Sequence, residues 1–306
     1  MEFTETSLPS LHDQAVIVTG ANSGIGFEAS RALAERGAVV VLACRNLEKG
    51  RAAVARIKEG SPRARVYLEA LDLADLASVR TFAERMNERL EVLHRLINNA
   101  GVMALPYRRT ADGFEMQMGT NHYGHFALTG LLLDLLLAAP NARVVTVSSL
   151  AHFFGGIRFR DPNWENFYQR WAAYGQSKLA NVLFAFELER RFRAAGTSAL
   201  SVACHPGFAS TNLQFVGPTL DGSKAMMALM KWNNRYVAQS AAEGALPTLY
   251  AAYGNVSGGY YIGPDGALRG APKPARASKK ARDPELAARL WALSEESTGV
   301  YFRFAG

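Results

Sequence analysis

Ala15-Val16-Ile17-Val18-Thr19-Gly20-Ala21-Asn22-Ser23-Gly24-Ile25-Gly26 reads as a strand that runs into a glycine-punctuated turn and then into a helix. Its apolar residues do not alternate with polar ones, so the strand is expected to be covered on both faces, as in a parallel sheet between helices. Glycines let backbone N–H groups close on a pyrophosphate, and the helix N-terminus adds its dipole at the same point. A glycine pattern alone is weak. A strand before it and a helix after it make it a dinucleotide loop, with Gly20, Asn22, Ser23, Gly24, Ile25 and Gly26 as the contacts.

Further short apolar runs follow at helix-length intervals: 39–42, 65–68, 92–97, 143–147 and 200–203, with a closing run at 259–262. Helices are expected over 24–36, 47–59, 75–89, 112–138, 173–195, 222–232, 239–253 and 283–296. Strands alternating with helices give an α/β fold: a single-domain, doubly wound parallel sheet of Rossmann type, about seven strands with helices on both faces. No linker or repeat divides residues 1–306. The segment 211–240 is expected to cover a substrate, and 264–306 to form a C-terminal tail.

With 306 residues, 49% of them hydrophobic, the chain can bury a large core. The net charge of +7 suggests nucleic acid, but Arg269, Lys273, Arg276, Lys279, Lys280 and Arg282 concentrate in one stretch and no nucleic-acid motif accompanies them. That stretch reads as a solvated loop or as a contact for phosphate or an anionic membrane. Cys44 and Cys204 follow separate strands and need no disulfide in a reducing compartment. Met1 to Gln14 is polar and acidic, unlike a signal peptide, and the longest apolar run, Leu128 to Ala139, is interrupted by Asp134 and falls short of the ~20 residues a membrane span needs. A cytoplasmic protein with no integral membrane segment is expected.

About 20 residues beyond the glycine loop, where NAD-selective sites place a carboxylate, stand Cys44-Arg45-Asn46. Arg45 can bond a 2′-phosphate that a carboxylate would repel, which favours NADP(H) over NAD(H). Asp72 and Leu73 follow the third strand, toward an adenine edge, although Asp72 serves equally well to start the next helix. Asn98-Asn99-Ala100-Gly101 follows the fourth strand, and Asn98, Ala100 and Gly101 are further cofactor contacts at a carboxyl end.

Tyr174-Gly175-Gln176-Ser177-Lys178 places a phenol and an ammonium one helical turn apart. A charge ~4 Å away at an effective dielectric of ~20 contributes about 4 kcal/mol, enough to bring a phenol down from about 10 toward neutral pH. Such a phenol is a proton donor and acceptor. His122 and His125 lack a carboxylate or cysteine to complete a ligand set and read as core or interface residues, so no metal is expected.

TGANSGIG, NNAG, Asn121, Ser148-Ser149, YGQSK and His205-Pro206-Gly207 occur in the order found in short-chain dehydrogenases/reductases, and over nearly its full length the sequence resembles that family. Ala43-Cys44-Arg45-Asn46, YGQSKLAN, Gly263-Pro264-Asp265-Gly266 and Leu290-Trp291 to Gly299 narrow the likeness to retinol dehydrogenase and protochlorophyllide reductase-like members. The resemblance implies Tyr174 as general acid or base and Lys178 on the nicotinamide ribose, with oxidised cofactor further acidifying the phenol. It implies Ser149, rather than Ser148, on the substrate oxygen. Asn121 would hold a relay water at a helix irregularity, and Pro206, Gly207, Phe208 and Thr211 would meet the nicotinamide carboxamide.

Ser23 stands where some NADP-selective relatives carry a base, so the 2′-phosphate expectation rests on Arg45. The aromatic insert between Ser149 and Tyr174 (His152, Phe153, Phe154, Trp164, Phe167, Tyr168, Trp171) either lines a substrate pocket or packs on the sheet. Leu213, Phe215, Met226, Met227, Met230 and Trp232 suggest an apolar carbonyl or alcohol substrate, or else a core or dimer face. In related proteins the helices near 112–138 and 173–195 form the face of a homodimer or homotetramer. The expected activity is NADP(H)-dependent carbonyl/alcohol interconversion; the alternatives are a dinucleotide-sensing protein without turnover, and reduction of a tetrapyrrole ring.

Overall fold

In the computed structural model, which describes residues 2–208 and 239–304, the opening strand β1 (Ala15–Thr19) lies inside an eight-stranded sheet. Val16 and Val18 join one apolar cluster and Ile17 joins another across the sheet. That two-sided burial is why the run is apolar without alternation. Parallel neighbours are β2 (Val39–Cys44), β3 (Arg65–Ala70), β4 (Arg95–Asn98), β5 (Arg143–Val147), β6 (Leu200–Cys204) and β7 (Tyr261–Pro264). An eighth strand that the sequence reading lacked, β8 (Pro272–Pro274), pairs antiparallel to β7. Two prolines in three residues hide it, and they are tolerated because β8 is an edge.

The spatial order is β3-β2-β1-β4-β5-β6-β7-β8. The chain therefore reverses direction across the sheet between β1 and β4, and a crevice opens above their carboxyl ends. On one face lie α1 (Gly24–Glu35), α2 (Leu47–Gly60) and α8 (Ala241–Tyr253), which supply Phe27, Leu33, Ile57 and Leu249 to the core. On the other lie α3 (Leu76–Arg89), α5 (Gly124–Leu131) and α7 (Arg170–Ala194), with Phe82, Phe126, Phe184 and Phe192.

The expected single helix over 112–138 is four pieces. Glu115 caps α4 (Met116–Met118), a π-turn follows over Gly119–Tyr123, and α5 ends at Leu132 before α6 (Leu133–Ala138). Residues 117–129 are all buried, polar ones included, so no one-faced periodicity reveals the breaks.

The C-terminal helix α9 (Pro284–Thr298) starts at an Asp283 cap and stops at Gly299 in the left-handed region. Trp291 packs on Phe126 and Phe184, Phe302 covers the same pair, and Arg191 lies 4.2 Å from the Trp291 ring. This cover adds to the packing that leaves α7 buried from Ala173 to Glu189 with no exposed face. It also means that the Phe126 and Phe184 side of α5 and α7, the helices that form the dimer face in related proteins, is covered by the C-terminal segment. The expected helix 222–232 and the apolar residues from Leu213 to Trp232 lie outside the described residues.

Candidate active site

A cleft of about 940 Å³ runs along the carboxyl ends of the strands. At one end, Gly20, Asn22, Ser23, Gly24, Ile25 and Gly26 line it. Gly20 has φ +66°, and a Cβ there would lie 2.9 Å from the Ala100 Cα. A Cβ on Gly26 would collide with the Asn99 amide and lie 2.6 Å from the Gly20 carbonyl oxygen. The loop thus folds tightly because side chains are missing at two points. Thr19 ties it to the NNAG turn: its hydroxyl oxygen accepts from the N–H groups of Asn99 and Ala100, both at 2.9 Å, while the Asn99 amide donates to the Thr19 carbonyl at 2.8 Å.

The start of α1 differs from those of the other long helices. Asn46, Asp75, Gln169, Ser240 and Asp283 cap α2, α3, α7, α8 and α9 through their side chains, whereas Ser23 makes no side-chain cap and α1 has no acidic residue in its first turn. Amides left uncapped at a helix start, inside a cleft, suit an anion.

Beyond the loop, Arg45 lines the cleft together with Lys49, Ala52, Ala53 and Arg56 of α2. Arg56 lies 4.1 Å from the Phe27 ring. None of the ion pairs among the described residues involves Arg45, Lys49 or Arg56. The sequence reading missed the last two, although the spacing 49, 52, 53, 56 is one helix face. Asp72 and Leu73 also line the cleft. Asp72 uses one carboxylate oxygen to accept from Ala74 N at 3.0 Å, while the cap of α3 is Asp75. Asn98 does not reach the cleft: it is fully buried below it, donating to Thr129 Oγ at 3.1 Å. Ala100, Gly101, Pro206, Gly207 and Phe208 line it, and Thr211 lies outside the described residues.

At the opposite end stand Ser149, Tyr174 and Lys178. The Ser149 side chain acts on the Tyr174 phenol, drawing its titration down against the effect of burial. Ser149 ends β5's extension and caps a short 3-10 turn, accepting from Ala151 N at 3.2 Å. Its carbonyl accepts from His152 Nδ1 at 2.8 Å, and His152 Nε2 accepts in turn from Ser278 N at 3.1 Å. Ser148 lines the cleft too but donates to the Lys178 carbonyl at 2.7 Å, a packing bond.

Lys178 is buried, and its Nζ donates to the Val147 carbonyl at 3.2 Å and lies 5.8 Å from the Tyr174 ring centre. Burial pulls its ammonium down to about 8. Burial also pushes the Tyr174 phenol up to about 12, against a smaller opposing effect of Ser149. The spacing of Tyr174 and Lys178 predicts an acidified phenol. Among the protein groups alone, loss of hydration dominates, and the amine, itself desolvated and turned to a carbonyl, does not offset it.

Asn121 sits in the π-turn, the helix irregularity expected for it. Its side chain accepts from Val102 N at 2.7 Å and donates to Val102 O and Ser177 Oγ, both at 2.9 Å. Ser177 Oγ donates to the Tyr174 carbonyl at 2.8 Å. Asn121 therefore clamps the strand-end turn to α7 from beneath the cleft. The aromatic insert divides its work. Phe154 and Trp171 line the cleft, Trp171 edge-on to Tyr174 at 6.2 Å, whereas Trp164 and Tyr168 pack on each other.

Residues 14–216 match the short chain dehydrogenase family. The chain is 42% identical to human retinol dehydrogenase 12 over 97% of its own length and 89% of that protein's. The chain belongs to the short-chain dehydrogenase family. Human retinol dehydrogenase 13 is 43% identical, with 96% of this chain and 87% of that one covered. Within the family the chain is thus retinol dehydrogenase-like, an enzyme acting on CH–OH groups. Among solved structures, an uncharacterized protein from Mycobacterium paratuberculosis superposes with a TM-score of 0.82 at 43% identity, covering 99% of this chain and 100% of that one. A Shigella flexneri short chain dehydrogenase complexed with NADP has a TM-score of 0.62 at 23% identity over 83% and 98%, which shows the shared fold. Members of this family bind a nicotinamide dinucleotide. Among the described residues, no helix is long and apolar enough to cross a membrane, and no group of three or more His, Cys, Asp or Glu could hold a metal.

Proposed function

We propose that the protein is an NADP(H)-dependent oxidoreductase that interconverts a lipophilic carbonyl and its alcohol, with Tyr174 moving the proton. The observation that carries this reading is the sharing of one cleft by an uncapped helix start behind a glycine loop and, at the far end, the Tyr174, Ser149 and Lys178 side chains. Gly20 to Gly26 would hold the pyrophosphate, Asp72 and Leu73 the adenine edge, and Ala100, Gly101 and residues 206–208 the nicotinamide half. Arg45, with Lys49 and Arg56 on the same wall, supports the 2′-phosphate and hence NADP over NAD. The bound dinucleotide supplies the hydride or accepts it.

In reduction, the Tyr174 hydroxyl donates its proton to the substrate oxygen as negative charge develops there, and Ser149 Oγ–H bonds the same oxygen. A phenol that burial keeps protonated at neutral pH is the form this direction needs. Lys178 holds positive charge nearby and Asn121 keeps its turn fixed against α7. In oxidation the same phenol must accept the proton.

Phe154 and Trp171 beside Tyr174 give the substrate end apolar walls, and the relatives named retinol dehydrogenases fit a lipophilic substrate. A homodimer or homotetramer would have to use a surface other than the side of α5 and α7 that α9 covers. The test is NADPH consumption with a panel of apolar aldehydes and ketones. Turnover by wild type and none by Tyr174→Phe is expected; equal rates would defeat the proposal.

A further inference from the structure

His122 and His125 are both fully enclosed, but they bond in opposite directions. His122 Nε2 pairs with Ser294 Oγ of α9 at 2.8 Å, and its Nδ1 has no hydrogen-bond partner among the described residues. His125 points into the sheet side: Nδ1 lies 3.0 Å from the Asn121 carbonyl and Nε2 lies 2.9 Å from Thr19 Oγ.

We propose that His125 is a positioning residue that joins the dinucleotide loop to Asn121, holding the Asn121 carbonyl with one ring nitrogen and the Thr19 hydroxyl with the other. The inference rests on the dinucleotide-dependent reading above. The chemistry of the partners fixes the tautomer. A carbonyl only accepts, so Nδ1 carries the hydrogen and Nε2 presents its lone pair. Thr19 Oγ–H then donates to Nε2 rather than to the Ile97 carbonyl, which is farther away at 3.4 Å. The Thr19 oxygen keeps both lone pairs for Asn99 N and Ala100 N, so every hydrogen-bonding site on that hydroxyl is used.

The same ring thus touches three functional parts at once: the residue that opens the glycine loop, the NNAG turn through Thr19, and the π-turn that carries Asn121. The π-turn moves main-chain bonding from i+4 to i+5, as the Gly124 N–H on the Gly119 carbonyl shows, and the imidazole takes one lone pair of the Asn121 carbonyl. The Asn121 side chain is already spent on Val102 and Ser177. The main-chain carbonyl, the remaining acceptor of that residue, is therefore tied to His125. The ring stays neutral: burial, with a smaller contribution from the nearby Lys178 charge, holds it at about 4.

Two substitutions split the ring's two jobs. His125→Asn keeps a donor near the Nδ1 position and loses the Thr19 bond; His125→Gln keeps an acceptor near the Nε2 position and loses the Asn121 bond. With NADP as the probe, His125→Asn is expected to raise the dinucleotide Kd about 10-fold with a smaller fall in kcat, and His125→Gln to lower kcat about 10-fold with a smaller change in Kd. His122→Asn is the control that removes a buried imidazole outside this chain of bonds; it should lower the melting temperature without that crossed pattern. Parallel losses in both parameters for both His125 variants, or no loss in either, overturn the proposal. Should the variants unfold, the wild-type ¹⁵N imidazole shifts decide: His125 must be the Nδ1–H tautomer across neutral pH, and an Nε2–H tautomer overturns it. Wild type that binds NADP and turns over carbonyls while failing these tests overturns this inference alone; wild type that does neither removes the reading beneath it.

Discussion

At the dinucleotide end of the cleft the functional groups are main-chain amides and solvent-exposed cations, whereas at the catalytic end they are side chains sunk into the protein. Gly20 and Gly26 act by lacking atoms, and Arg45 stands exposed beside them. Tyr174 and Lys178 are buried, and burial displaces both from their ordinary titration ranges. The difference shows where the protein bears the cost of function. The backbone end costs little once the turn is made, while the side-chain end keeps a desolvated cation that folding alone would not favour.

The sharpest break in this comparison is expected from Tyr174→Phe, which should lower kcat/KM by about 10³-fold in carbonyl reduction while leaving NADPH affinity near wild type. Lys178→Met should abolish most turnover and at the same time stabilise the protein by up to about 3 kcal/mol, because the displacement of its ammonium from 10.5 to about 8 is a folding penalty. The sign follows from proton counts. Below pH 8 both states carry the proton and the penalty is complete. Between about 8 and 10.5 the unfolded chain holds more protons than the folded one, so wild-type stability rises with pH. Denaturant melts of both proteins at pH 7 and pH 10 should therefore show the gap closing; a gap that widens contradicts the burial argument.

At the other end, Gly26→Ala should cost about 2 kcal/mol by forcing a methyl against the Gly20 carbonyl and the Asn99 amide, and should weaken dinucleotide binding in the same melts and titrations. The smallest effect belongs to the exposed cation. Arg45→Gln should reduce the preference for NADP over NAD by about 10-fold, read as a ratio of kcat/KM values, with no change in melting temperature. A melting shift there would mean that Arg45 holds structure rather than ligand.

The same contrast explains what was legible in the sequence. A glycine loop after an unalternated apolar strand leaves a local signature, because both its shape and its function are written within a dozen residues. The Tyr174–Lys178 spacing was equally plain, but its electrostatics were not. The burial that overrides the amine comes from groups such as the end of β5 and the Ser148-Ser149 turn, which meet α7 only once the sheet has formed. Lys49 and Arg56 went unnoticed although their spacing repeats one face of α2. His125 could not be assigned, since its partners at positions 19 and 121 meet only when β1 and the π-turn are brought together. Asn98 and Asn99 were read as one turn, yet the first faces the core and the second the loop.

The bond from Ser278 through His152 to the Ser149 carbonyl has a consequence for biosynthesis. During translation, Ser149 leaves the ribosome long before residue 278 does, so its carbonyl takes its final partner only when the C-terminal segment arrives. Ribosome-released fragments ending near residue 270, which also lack the α9 cover of Phe126 and Phe184, should therefore reduce no carbonyl. Full activity in such fragments would show that Ser149 does not wait for the last tenth of the polypeptide.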